Sequence, residues 1–189
     1  MNSNESQSVW IRRMALDDIE EVYQIENQSF TLPWSKRSYQ FEVNENQSSR
    51  PWVAEAYLKD SSKRIVGLIV IWLILDEAHI ANFAVHPSFR YLGIGRKLFA
   101  FTILKAFEEG ARQFFLEVRR GNLTAQRIYQ DFGFQVDGVR EKYYKDNGED
   151  ALLMKIKTFN EPLLTKYAGA RITASMLYDF QTQEEDYGS

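Results

Sequence analysis

The chain of 189 residues contains no cysteine. Disulfides, thiolate-bound metals and a cysteine nucleophile are thereby excluded, and the composition suits a reducing compartment. Histidine is nearly as scarce: His79 and His86 are the only two, too few for a histidine-built metal site, and no metal is expected. No apolar run reaches the roughly 18–20 residues that a membrane span requires. The longest candidate, residues 65–75, is interrupted by Gly67 and runs into Asp76 and Glu77. Residues 1–8 are polar and lack the basic and apolar parts of a secretion signal, so they read as a disordered tail on a protein expected in the cytoplasm, without a membrane partner. Basic charge is not in excess either. Lys and Arg number 23 against 26 Asp and Glu, for a net charge of −3, which argues against a protein built to wrap nucleic acid.

What is present is ample material for one core: 44% hydrophobic and 14% aromatic residues in a chain of single-domain length. Residues 9–14 predict a first strand. Asp17, with Glu20 three residues on, offers a helix cap, and Leu16, Ile19, Val22 and Tyr23 follow at helical spacing to about Ser29. Ser35 caps a second short helix, and residues 44–50 form a loop. Residues 51–58 and 64–75 read as strands joined by a turn at residues 59–62. The second is apolar without a break, as a strand buried on both faces would be. Residues 78–85 add a strand that Pro87 stops. A helix opening at Gly93 carries Ile94, Leu98, Phe101, Leu104 and Phe107 at intervals of three or four and ends at Gly110. A short strand at residues 114–118 follows. Next comes a helix capped by Asn122, with Ala125, Ile128 and Phe132 on its inner face and Gly133 at its end. Two strands around Asn147-Gly148 close the pattern. Antiparallel stretches around a strand–helix–strand centre imply an α/β (α+β) domain, a mixed, mostly antiparallel sheet covered by about four helices. The expected division is a tail at 1–8, a domain at 9–157, and an extension at 158–189 holding a helix and an acidic end.

Two clusters carry chemistry. In the first, His86-Pro87-Ser88-Phe89-Arg90-Tyr91-Leu92-Gly93-Ile94-Gly95-Arg96-Lys97, a strand ends, glycines make a turn and a helix begins. Free N–H groups in a first helical turn suit an anion, and Arg90, Arg96 and Lys97 offer positive charge beside it. A Walker loop needs Ser or Thr after Gly-Lys, and this chain has Gly95-Arg96-Lys97-Leu98. A dinucleotide fingerprint needs a third glycine where Leu98 stands. Packing alone could also account for the two glycines. In the second cluster, Glu117 interrupts the apolar strand 114–118. A carboxylate there is paired, for instance with Arg119 or another base, or lies at an edge, or is functional. Tyr129 lies on a helix face between Ala125 and Phe132, where core packing is the plain reading.

Arg90-x-x-Gly93-x-Gly95 resembles the pyrophosphate loop of the GNAT acetyltransferase superfamily. Leu116-Glu117-Val118-Arg119 through Asn122, Ala125, Tyr129 and Gly133-Phe134 resembles the hallmark of the bacterial ribosomal-protein-alanine N-acetyltransferases (the RimI type). Phe30-Thr31-Leu32-Pro33-Trp34-Ser35 and the stretch from Arg140 through Tyr143, Tyr144 and Gly148 to Ala151 are similar to two further motifs of that family. The resemblance spans residues 9–157 and implies a GNAT fold with a splayed fourth strand. On that strand Phe83, Ala84 and Val85 would pair with the pantetheine arm of acetyl-CoA, and a backbone N–H would polarise the thioester. The loop from Arg90 through Tyr91, Leu92, Gly93, Ile94 and Gly95 to Arg96 would hold the pyrophosphate, and Asn122 would contact the arm. Glu117 is implied as general base, Tyr129 as general acid, and Trp34, Tyr143 and Tyr144 as contacts to a peptide end. The acceptor so implied is a protein N-terminus, that of a ribosomal protein. A terminal α-amine, with a pKa of about 7.7–8 against about 10.4 for lysine, is easier to deprotonate near neutrality by roughly 3 kcal/mol. Tyr91 and Leu92 stand where relatives often carry basic residues. A lysine or small-molecule amine acceptor, or a non-catalytic binding module, are the competing expectations.

Overall fold

The computed structural model describes residues 9–57, 62–156 and 160–168. The tail at 1–8, most of the turn at 59–62 and the acidic end beyond 168 lie outside the described residues. Seven strands form one sheet in the order β1-β2-β3-β4-β5-β7-β6. They are β1 (Val9–Arg13), β2 (Ser49–Tyr57), β3 (Lys63–Ile74), β4 (Glu77–Val85), β5 (Gln113–Arg119), β6 (Phe134–Tyr144) and β7 (Glu149–Ile156). Only β4 and β5 run parallel, joined by a helix as a parallel crossover requires. The five helices among the described residues are α1 (Ile19–Ser29), α2 (Lys36–Asn44), α3 (Ile94–Glu108), α4 (Leu123–Asp131) and α5 (Glu161–Ala168). The mixed sheet expected from the pattern is therefore present. The fifth helix lies where an appended one was expected, beginning two residues ahead of the apolar stretch at Leu163.

Two cores flank the sheet. Ile65, Leu68 and Val70 of β3 face α1 and α2 with Met14, Ile19, Val22, Ile25 and Tyr39. The alternate residues Val66, Ile69 and Ile71 face the other way, against Leu98, Phe99 and Ile103 of α3 and Phe132 at the end of α4. Burial of both sets explains why β3 reads as an unbroken apolar run. Each such large side chain contributes about 1.5–3 kcal/mol.

One local expectation changes. The first helix is not capped by Asp17. A single 3-10 turn (Leu16–Asp18) precedes it, and the Asp18 carboxylate accepts the Ala15 N–H (2.7 Å) and the Arg12 guanidinium (2.7 and 2.8 Å). The inner face of α4 is as expected, with Phe132 fully buried and Ala125 and Ile128 packed against the core, and Gln126 and Tyr129 are buried beside them. The caps at Ser35 (from Ser38 N–H, 3.0 Å) and Asn122 (from Ala125 N–H, 3.1 Å) form as predicted.

One irregularity positions everything that follows. The β3–β4 register jumps from Val70↔Asn82 to Ile71↔Ile80, leaving Ala81 as an extra residue on β4. A bulge of this kind bends its strand. The parallel pairing of β4 with β5 ends at the same level, at Ile80↔Leu116. Beyond it the two strands fork.

Candidate active site

The fork leaves residues 81–85 of β4 bonded to β3 on one side and without a strand partner on the other. Unpaired peptide groups in a cleft need a bonding partner, and an extended amide chain supplies one. Phe83, Ala84 and Val85 all lie on this stretch. The loop after it makes a 3-10 turn (Pro87–Phe89), capped by the His86 ring, which accepts the Ser88 N–H (3.2 Å). It then passes through Tyr91 at φ +64° and Gly93 at φ +80°, both left-handed. Glycine meets that requirement at position 93 without strain; at 91 the chain uses an exposed tyrosine. The first N–H of α3 with a helical partner is that of Lys97, which donates to Gly93 (3.0 Å). The N–H groups of Ile94, Gly95 and Arg96 have no carbonyl one turn back, so a row of donors ends at the cleft. A Cβ at Gly95 would lie 3.4 Å from both Phe83 and Val85, so α3 packs closely on β4 at this glycine.

The basic side chains of the loop are otherwise engaged. Arg90 donates to the Val85 carbonyl (3.0 Å) and Ser29 (3.1 Å). Arg96 pairs with Asp131 (2.6 Å), and Lys97 donates to the Val9 carbonyl (2.6 Å). Of the expected cofactor residues, Tyr91 and Leu92 are exposed at the loop tip, and Ile94 is buried beneath it. Asn122 uses its Oδ1 as the α4 cap, which leaves its Nδ2 as the free donor.

On the other branch, Phe114, Leu116 and Val118 point into the α3 core, so alternation turns Glu117 to the opposite face, one residue past the last β4–β5 pair. Its partner is not the neighbouring Arg119. Arg140 of β6 reaches across β7 to place its guanidinium 2.6 Å from Glu117 Oε1, and interaction with the same carboxylate raises the pKa of the nearby Tyr143 phenol. Arg119 instead ties down the β6–β7 turn through Asp146 (2.9 Å) and Glu149 (3.2 Å), and it covers the Tyr144 ring at 3.7 Å. The ladder of β6 with β7 skips from Arg140 to Tyr144, with Lys142 at φ +51°, and this break brings Tyr143 toward Glu117.

Tyr129 projects from α4 among Phe83, Phe99 and Phe134 (ring centroids 6.4, 5.3 and 6.1 Å). Burial, aided by the proximity of Tyr144, pushes its pKa up, so the hydroxyl stays protonated. That hydroxyl makes no hydrogen bond among the described residues, although the ring is buried. Tyr144 is pushed up to about 12 by burial, with Arg119 opposing and Glu117 adding to the rise. Tyr144 thus lies near enough to Glu117 and Tyr129 to influence and be influenced by their charge.

Trp34 stands differently. Its ring stacks on Trp72 (6.3 Å, 16°) and tilts against Tyr39 (5.6 Å), so much of it serves to pin the α1–α2 loop. The remainder lines a cavity of about 460 Å³ with Ser35, Arg37, Ser38, Phe41 and Glu42, which contains none of the fork residues. Beneath it lies a buried carboxylate that the sequence reading passed over. Glu26 accepts bonds from Trp34 N–H (2.8 Å), the Tyr39 hydroxyl (2.8 Å) and Asn82 Nδ2 (3.1 Å), joining the loop, α2 and the β4 bulge. Its helical spacing from Ile19 and Val22 was the available signal. Among the described residues no cluster of His, Asp and Glu could hold a metal ion, and no helix is long and apolar enough to cross a membrane.

The forked sheet thus presents a helix N-terminus whose free N–H groups suit an anion on one branch and a carboxylate able to take a proton on the other. The chain belongs to the acetyltransferase (GNAT) family, whose model matches residues 19–134. Among curated proteins it is similar to a Bacillus subtilis (strain 168) protein carrying the provisional name ribosomal protein bS18-alanine N-acetyltransferase. The two are 43% identical over 151 residues, which is 80% of this chain and 96% of the relative. The ribosomal protein bS18-alanine N-acetyltransferase of Escherichia coli (strain K12) is 29% identical over 151 residues, covering 77% of this chain and 95% of the relative. The crystal structure of the ribosomal-protein-S18-alanine N-acetyltransferase from Escherichia coli superposes with a TM-score of 0.69 at 26% identity, over 79% of this chain and 93% of that one.

Proposed function

We propose that this acetyltransferase moves the acetyl group of acetyl-CoA onto the N-terminal α-amine of a protein, the N-terminal alanine of a small-subunit ribosomal protein, by direct attack in a ternary complex. The observation that carries the reading is the fork itself. The unpaired edge of β4 at 81–85 and the α3 N-terminus lie on one branch and Glu117 on the other, and the glycine-loop and Leu116–Phe134 motifs shared with the alanine N-acetyltransferases carry these groups.

On this reading the β4 edge holds the pantetheine amides, and the N–H groups of Ile94, Gly95 and Arg96 hold the pyrophosphate. Glu117 takes a proton from the acceptor ammonium through water. The nitrogen then bonds to the thioester carbon, and a backbone N–H near Val85 meets the developing oxyanion. As the carbon–sulfur bond breaks, Tyr129 gives its proton to sulfur. The second proton leaving nitrogen restores Tyr129, so the cycle releases one proton overall. Among the described residues Tyr129 has an unpartnered hydroxyl held in its protonated form, as this step needs. Without a cysteine anywhere, an acyl-cysteine intermediate is excluded.

The test is thiol release from acetyl-CoA with three acceptors: an Ala-starting peptide, the same peptide N-blocked but carrying lysine, and a polyamine. Turnover with the first alone supports the proposal. Preference for either of the others reassigns the acceptor, and no release with any of them makes the chain a binding module.

A further inference from the structure

The Glu117–Arg140 pair has an odd composition for a resting active site. The carboxylate meant to receive an ammonium proton already holds a cation, at 2.6 Å. Arg140 makes no other ion pair among the described residues, and its side chain is 53% exposed. Arg119, on the same strand as Glu117, shows what a structural arginine looks like here: 24% exposed, with two carboxylates and a ring face around it. Arg140 is held instead by Glu117 and the Tyr143 side chain, whose ring centroid lies 5.5 Å from its guanidinium. A carboxylate flanked by an aromatic face is a general recognition site for a cation, not for arginine in particular.

We propose that Arg140 holds the Glu117 carboxylate that the acceptor's α-ammonium engages through its bridging water, so that acceptor binding exchanges one cation for another. The proposal rests on the reading of Glu117 as the base at the acceptor amine. The exchange keeps Glu117 neutralised at every stage, and it needs no opening of the sheet. Arg140 is long, half exposed and held at its tip only by Glu117 and the Tyr143 ring, so release from these lets its guanidinium swing outward to solvent. The same exchange favours departure of the product. Once acetylated, the nitrogen carries no charge, cannot compete for the carboxylate, and Arg140 returns. Arg140 is in this sense a specificity residue, selecting acceptors that arrive as ammonium ions.

The experiment is calorimetric binding of an Ala-starting peptide and of its N-acetylated form to the full chain saturated with CoA, in the wild type, Arg140→Gln and Arg140→Lys. Removal of an exposed competitor tightens the amine peptide by up to about fivefold in Arg140→Gln. The acetylated peptide binds all three proteins equally, and Arg140→Lys behaves as the wild type. In the double variant Glu117→Gln with Arg140→Gln, the gain over Glu117→Gln alone disappears. Weaker binding of both peptides to Arg140→Gln would make Arg140 an ordinary peptide contact and overturn the exchange. Unchanged binding of the amine peptide would overturn it equally. Turnover of Glu117→Gln is a separate readout: a fully active variant defeats the base reading, whereas an inactive one with no amine-specific gain in Arg140→Gln defeats the exchange alone.

Discussion

On the α3 branch of the fork the groups turned toward the cleft are main chain: the free edge of β4 and the first-turn N–H groups of α3. The basic side chains there are bonded to Asp131, Ser29 and the carbonyls of Val85 and Val9. On the β5 branch the relation inverts. Glu117, Arg140 and Tyr143 meet through their side chains, and the hairpin backbone serves to break its ladder there. On the proposed function the difference separates two tasks. A cofactor that never varies can be held by peptide groups, whose donors survive most substitutions. An acceptor that must be chosen is met by side chains, where a single change redirects charge.

The strongest way to break this comparison is at the reacting groups. Glu117→Gln and Tyr129→Phe should each lower turnover by about 10²–10⁴-fold, with acetyl-CoA affinity retained, as steady-state kinetics and calorimetry would show. A large loss of cofactor affinity in either would mean that the branches are not separate. Next, Gly95→Val should weaken acetyl-CoA binding by about 1–3 kcal/mol, because the added methyls press on Phe83 and Val85 and push the α3 N-terminus away from β4. Acceptor selectivity should be untouched.

A third prediction concerns the frame that carries the acceptor loop. Burial raises the pKa of Glu26 despite bonds from Trp34, Tyr39 and Asn82, so native Glu26 binds a proton more readily than the unfolded chain does. Stability linked to it therefore falls as pH rises from the ordinary glutamate value through the native one. Asp18 behaves oppositely. Burial would raise it, but Arg12 and the Ala15 N–H together hold it below its ordinary value, so its stabilisation is complete at neutral pH and disappears as pH falls through the native value. Chemical denaturation across pH should show Glu26→Gln costing about 1–3 kcal/mol, most at acid pH. Asp18→Asn should cost most at neutral pH. The smallest effect belongs to Arg96→Ala. With its guanidinium paired to Asp131, its loss should change acetyl-CoA affinity by no more than about 1 kcal/mol. A much larger drop would show that the cofactor branch relies on side-chain charge after all.

The fold was legible where burial imposes a period. The unbroken apolar run of β3 follows from its two covered faces, and the repeat from Ile94 to Phe107 marks α3. The caps at Ser35 and Asn122 follow from local hydrogen bonding. Asp17 and Asp18 were not separable, because either could end the same turn, and only the distant Arg12 decides. Gly93, Gly95, Glu117 and Tyr129 stood out as motif positions, but no sequence feature announces the bulge at Ala81, which depends on pairing with β3. The partner of Glu117 was equally hidden. Arg119 is two residues away in the chain, and Arg140 is brought nearer by a register across three strands. Nor could the sequence say that Arg90, Arg96 and Lys97 would be occupied by acceptors far along the chain.

The most direct test of the central claim is mass spectrometry of ribosomal-protein N-termini from the source cells with and without this enzyme. The account predicts that one small-subunit protein beginning with alanine carries an N-terminal acetyl group only when the enzyme is present, and that the Glu117→Gln variant does not restore it. N-termini that are identical in the two cell lines, or acetylation fully restored by Glu117→Gln, would contradict it.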